Sequence, residues 1–139
     1  MGSLVVLGSV GFGGEDSAVP AARRYARGLL DGEGVDAGEA QLIVSELVTN
    51  AVAHGGEGGF RLTVSVGDDV VRIEVADSGV VGKEPQVREA ADEDEEGRGL
   101  LIVDALTRRW GVHEDGDGTV VWAELEKRPV SSGLAGETG

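Results

Sequence analysis

The sequence predicts an α+β domain: a two-layer α/β sandwich with a mixed, mostly antiparallel sheet and helices on one face. Three observations predict it. Two segments in the first half repeat apolar residues at the helical period. Two later runs alternate apolar and polar residues around a short Gly-Asp-Asp turn, as a hairpin does. The strands follow one another as sequence neighbours, which favours antiparallel pairing with the helices stacked on one side. The length of 139 residues suits a single core.

Taken in order, Ser3 to Val10 reads as a first strand and Gly11 to Asp16 as a glycine-rich loop. Ser17 or Asp16 is placed to cap a helix running to about Leu30, with Pro20 tolerated in its first turn. Val19, Ala22, Ala26 and Leu29 form its apolar face, and Arg23, Arg24 and Arg27 a basic one. Asp36 caps the next helix, with Glu39 three residues on as a variant capping box, and Gly55-Gly56 ends it. Phe60, Leu62, Val64 and Val66 alternate with Arg61, Thr63 and Ser65, and Val71, Ile73 and Val75 alternate with Arg72 and Glu74. Gly67-Asp68-Asp69 joins these two strands.

Residues 80–96 are polar and acidic and read as a mobile loop. Gly99 to Arg109 reads as a helix with Leu100, Val103 and Leu106 aligned. Trp110 to His113 and Thr119 to Leu125 form a second hairpin, and the tail after Pro129 reads as disordered. The outward sheet face then carries Arg61, Thr63, Arg72, Glu74, Trp122 and Glu124, which suits solvent or a partner. The domain organisation is an N-terminal strand and glycine-rich segment (1–16), the main domain (17–128) and a tail (129–139).

Composition narrows the function. The net charge of −14, from 26 acids and 12 bases, argues against nonspecific binding to nucleic acid and to anionic membranes. It favours a basic protein partner. Zero cysteines exclude disulfides, thiolate nucleophiles and cysteine-ligated metal. The start of the chain lacks a basic region before its apolar residues, and no run approaches the ~18 apolar residues of a membrane span, so a cytoplasmic protein is expected.

Four segments carry chemistry. In SELVTNAVAHGG, Glu46 and Asn50 stand four residues apart on one helix face, beside the stripe of Val44, Leu47, Val48 and Ala51. A carboxylate there can accept a proton, and a carboxamide oxygen can ligate a hard cation such as Mg²⁺. Asp77-Ser78-Gly79 closes a strand, where a carboxylate can accept a hydrogen bond from an exocyclic amine and Gly79 leaves room for a flat ring. Gly97-Arg98-Gly99, followed by Leu100, opens a helix whose N–H groups favour an anion. Thr119 opens the last strand, where its hydroxyl can join Asp77. Taken singly, each has an ordinary structural reading: a solvated helix edge, a turn, a loop, a strand residue. His54 reads as a capping or structural histidine, His113 as a strand-end residue, and Trp110 and Trp122 as packing groups.

The order and spacing of these segments resemble the GHKL (Bergerat-fold) ATPase superfamily, and within it the small anti-sigma-factor serine kinases and similar short ATP-binding regulators of actinobacteria. The segments that carry the resemblance are SELVTNAVAHGG, RIEVADSG, GRGLLIVDALTRRWGV and GTVVWAEL. The resemblance covers roughly residues 17–126. It implies ATP and Mg²⁺ as cofactors, with Asn50 as the Mg²⁺ ligand and Glu46 as the catalytic carboxylate that orients or deprotonates the attacking hydroxyl. It implies that Asp77 reads the adenine amine with Gly79 beside the ring, that Gly97 and Gly99 belong to the phosphate-side loop, and that Thr119 lies near the adenine. Residues 80–96 would form the ATP lid. The partners implied are an anti-anti-sigma (STAS-type) protein, whose serine would be the substrate, a sigma factor, and a second copy in a homodimer. A run of five acids, Asp92 to Glu96, adjoins the phosphate-side glycines; it predicts weak nucleotide affinity or a strong dependence on Mg²⁺. Two functional readings stay open. One is a protein serine kinase that regulates a sigma factor by partner switching. The other is a non-catalytic, nucleotide-gated binding module of the same fold. A detached histidine-kinase catalytic domain ranks below both, since no upstream dimerisation helix with a phospho-acceptor histidine is seen in this sequence.

Overall fold

A computed structural model describes residues 3–55, 58–77, 98–116 and 118–128. The lid at 80–96 and the tail at 129–139 lie outside the described residues. The order is β1 (Val5–Phe12), α1 (Ala18–Leu30), α2 (Ala37–Gly55), β2 (Phe60–Val66), β3 (Val70–Asp77), α3 (Arg98–Leu106), β4 (Arg109–Asp115) and β5 (Gly118–Glu126). The strands form one five-stranded sheet in the order β1-β2-β3-β5-β4. Every adjacent pair is antiparallel, the limiting form of the mostly antiparallel sheet expected.

Alternation decides which sheet face is buried. Phe60, Leu62 and Val64 on β2, Val71, Ile73 and Val75 on β3, and Val121, Ala123 and Leu125 on β5 all turn to the helices. The helices meet them with Ala18, Ala22, Ala26 and Leu30 of α1, with Ile43, Val44, Leu47, Val48 and Ala51 of α2, and with Val103 of α3. Each fully buried Leu or Ile of this core contributes about 1.5–3 kcal/mol relative to exposure. Small alanines on α1 let it lie close against its neighbours. On β1 the register slips between Val6 and Gly8, a bulge. A side chain at Gly8 would run into Tyr25 Oη and the Leu29 side chain, so glycine there lets α1 approach the edge strand. Phe12 stacks on Phe60 at 5.3 Å and meets Tyr25 edge-on at 6.3 Å, sealing that end of the core.

Helix boundaries follow local hydrogen bonding. Asp36 Oδ1 accepts the Glu39 N–H at 2.9 Å, the N-cap expected for α2. The expected cap of α1 is corrected. Ser17 sits at the N-cap position in helical conformation without a side-chain capping bond, and the first N–H groups bond instead to the Glu15 and Asp16 carbonyls. α3 ends at Leu106 rather than Arg109. Thr107 Oγ1 donates back to the Val103 carbonyl at 2.8 Å, and Arg108 N–H bonds the Glu124 carbonyl at 2.7 Å, which turns the chain into β4. The strand residue expected as Val10 extends on to Phe12, because β1 pairs along the whole of β2 as far as Phe60.

The outward face is polar and internally satisfied. Register places Arg72 opposite Glu124 and Glu74 opposite Trp122. Arg72 donates to Glu74 at 2.7 Å and to Glu124 at 2.8 Å, and Arg109 donates to the other Glu124 oxygen at 2.9 Å. The Arg72 guanidinium also lies 4.3 Å from the Trp122 ring centre. Burial alone would raise the Glu124 carboxyl, but the hydrogen bonds and charges of Arg109 and Arg72 outweigh it and hold the group below its ordinary 4.5. Trp122 is therefore a packing group, as expected. Trp110 packs on the core and donates Nε1–H to Asp104 at 3.0 Å.

Candidate functional site

β3 and β5 set one end of the site. Asp77 is the last residue of β3 and pairs in register with Thr119, the second residue of β5. Both fall at the same alternation as Val75 and Val121, on the helix-bearing face, and both are half-buried. The Thr119 N–H donates to Asp77 Oδ1 at 3.4 Å, a long bond. At the other end of the same strands, Val70 pairs with Glu126.

α2 starts at that far end. The loop before it is tied to the segment after β5 by the Arg128 N–H to Gly34 carbonyl bond at 2.6 Å, and its first turn by Arg128–Glu39 at 3.8 Å. From Ala37 to Asn50 the helix rises ~20 Å, and from Val70 to Asp77 β3 advances ~24 Å. Since α2 packs along β3, it carries Asn50 to the Asp77–Thr119 end.

The helical period settles which flank of α2 bears the polar pair. Gln41 Nε2 donates to the Arg23 carbonyl at 3.1 Å, so that flank faces α1. At about 100° per residue, Glu46 and Asn50 stand about 140° and 180° around from Gln41. They lie on the flank turned away from α1, the side on which α3 packs. Both are half-buried, held beside the fully buried Val44, Leu47 and Val48.

α3 completes the arrangement. Its C-terminal end is anchored at the far end of the sheet, where Arg108 bonds Glu124 and pairs with Asp69 at 3.3 Å. Its axis, ~12 Å long, leads back along α2 and β4 towards the Asp77–Thr119 end. Arg98, Gly99 and Leu100 form its first turn, so its first-turn N–H groups and the positive end of its dipole face that end. Gly79 and Gly97 lie outside the described residues, as does the lid between them.

The structure thus brings Glu46, Asn50, Asp77, Thr119 and the Arg98–Leu100 turn to one end of the helix layer. That end offers two carboxylates, a carboxamide and the N–H groups of a helix N-terminus. A single carboxamide is a fitting protein ligand for a Mg²⁺ that arrives with phosphate oxygens and keeps several waters. Among the described residues no group of three His, Asp or Glu side chains is disposed to hold a metal on its own. The sequence left unread the Glu124 carboxylate clasped by Arg72 and Arg109. The cross-strand pairing of Arg72 with Glu124 is the signal that would have found it.

The profile of the histidine kinase-like ATPase domain matches residues 13–125. Among solved structures, the chain is similar to the Acinetobacter baumannii histidine kinase AdeS, with a TM-score of 0.52 and 15% identity over 87% of this chain and 68% of that one. At that identity the likeness is one of fold. A search of curated proteins gives no match. Among the described residues no helix is long and apolar enough to cross a membrane. The match spans most of the chain, from the loop before α1 to the end of β5, and the chain belongs to the histidine kinase-like ATPase domain family, a GHKL-type ATPase domain.

Proposed function

We propose that the chain binds ATP with Mg²⁺ between α2, α3 and the Asp77 end of the sheet, and acts as an anti-sigma-factor-like protein serine kinase. Its substrate is a serine of an anti-anti-sigma (STAS-type) partner, and the nucleotide state selects between that partner and a sigma factor. The observation that carries the reading is the Asp77–Thr119 register pair standing at the same end as Glu46, Asn50 and the start of α3.

Each residue has a stated task. Asp77 accepts the exocyclic amine of adenine, with Thr119 beside it. Gly79 leaves room for the ring. Asn50 would supply the protein oxygen to a bound Mg²⁺, whose charge would offset that of the phosphates. Gly97, Arg98, Gly99 and Leu100 present N–H groups to the phosphates. Glu46 takes the proton from the serine hydroxyl as its oxygen bonds the γ-phosphorus and the bond to the ADP oxygen breaks. Phosphoryl transfer of this kind needs positioning and charge stabilisation more than covalent chemistry.

The test is transfer of labelled phosphate from ATP–Mg²⁺ to candidate anti-anti-sigma proteins. The expected result is labelling by the native protein that is abolished in Glu46→Ala while ATP binding persists. ATP binding with no transfer to any partner would replace the kinase with a nucleotide-gated binding module.

A further inference from the structure

Away from the nucleotide end, α1 runs against the charge of the molecule. The chain carries −14, yet α1 has three arginines and no acid. Arg23, Arg24 and Arg27 are all exposed and fall within an arc of about 100° on the helix. Among the described residues none of the three enters an ion pair, whereas Arg72, Arg108, Arg109, Lys127 and Arg128 each do. Arg27 in the last turn complements the helix dipole, but Arg23 and Arg24 lie too far from that end to share this role.

Beside Arg27 a cavity of about 410 Å³ opens between the end of α1 and the start of α2. Leu30, Val35 and Ala40 give it an apolar floor, with Asp31 the one carboxylate on its wall. Gly28 also lines it, and a side chain there would meet nothing within 4 Å, so the space is open. An apolar hollow with Arg27 on its wall, and the exposed Arg23 one turn before it on the same face of α1, is complementary to an acidic chain with an apolar side chain.

We propose that this α1–α2 groove docks an acidic segment of a protein partner, with one apolar residue of that segment seated over Leu30, Val35 and Ala40. The occupant is a different protein rather than a second copy, because a two-fold contact through α1 would bring two sets of unpaired arginines together. The groove is separate from the nucleotide end, so this proposal stands or falls independently of ATP binding.

The test is selection from a random twelve-residue peptide library on the full chain, followed by fluorescence polarisation with the enriched peptides. The expected peptides are rich in Asp and Glu around a single Leu, Ile, Phe or Met. Their Kd should weaken by about tenfold or more in the Arg23→Glu/Arg27→Glu double variant and fall off steeply with salt. Gly28→Trp, which fills the hollow, should abolish binding. Gly28→Ala and Arg27→Lys should retain it, with circular dichroism confirming that all variants fold. Enriched peptides without acidic bias, or binding indifferent to these changes, would overturn the proposal. So would competition by a labelled DNA duplex at the same arginines. Sedimentation showing a dimer that Gly28→Trp dissolves would overturn it in favour of a second copy.

Discussion

Replacing Asp77 by asparagine isolates the adenine end of the site with a change of one atom. The Thr119 N–H points at Asp77 Oδ1 at 3.4 Å. In the proposed pose the adenine amine donates to the other carboxylate oxygen. A carboxylate accepts at both positions, whereas an asparagine must turn its NH₂ towards one of them. If the amide oxygen faces Thr119, the NH₂ opposes the adenine amine; if it is flipped, the NH₂ opposes the Thr119 N–H. Either way one donor meets a donor. The lost bond is to an ionised acceptor, worth about 1.5–3 kcal/mol, which is roughly a 10- to 150-fold weaker Kd. The Thr119 bond is long and half-exposed, so its loss should cost the fold about 1 kcal/mol at most. Calorimetric titration of the ATP–Mg²⁺ complex into native and Asp77→Asn protein measures the first number, and urea unfolding the second. A Kd within twofold of native, in a variant that folds normally, would refute the placement of Asp77 against the base.

Three further outcomes follow from the same structure. Gly59 has φ of +77° and a side chain there would collide with the Phe12 carbonyl, so Gly59→Ala should cost about 2 kcal/mol or more in urea unfolding. Glu124→Gln leaves Arg72 and Arg109 facing a neutral group on a mostly buried position, and should destabilise by about 1–3 kcal/mol. Because the folded Glu124 pKa is depressed below 4.5, its stabilisation is present above the unfolded value and is lost as pH falls through the folded one. Native protein should therefore lose stability below about pH 4.5 more steeply than Glu124→Gln, as read from thermal melts at stepped pH.

Much of this architecture was legible because patterning and burial agree. The α2 stripe of Val44, Leu47, Val48 and Ala51 is buried as its period requires, and the alternation in β2 and β3 assigns every core residue of that hairpin. Asp77 and Thr119 were read as a pair from their places at strand ends, and antiparallel register sets them opposite each other. What the sequence concealed depends on long-range partners. The end of α3 looked like Arg109 because Thr107 and Arg108 do not break a helical pattern. A back-bond from Thr107 and the pull of Glu124 on Arg108 and Arg109 decide it. Ser17 looked like a cap because its residue type fits, but the Glu15 and Asp16 carbonyls already satisfy the first N–H groups. The strand order, with β5 inserted between β3 and β4, follows from the second hairpin returning to β3 beneath α2, a choice that no local segment encodes.

The central claim is that segments distant along the chain share one ligand. Amide chemical shifts of the ¹⁵N-labelled protein, followed as ATP–Mg²⁺ is added, test it residue by residue. Saturable shifts are expected at Glu46, Asn50, Asp77, Gly99 and Thr119 with one common Kd, and little change at Arg23 and Arg27 on α1. Shifts absent at millimolar ligand, or scattered without a shared Kd, would contradict it.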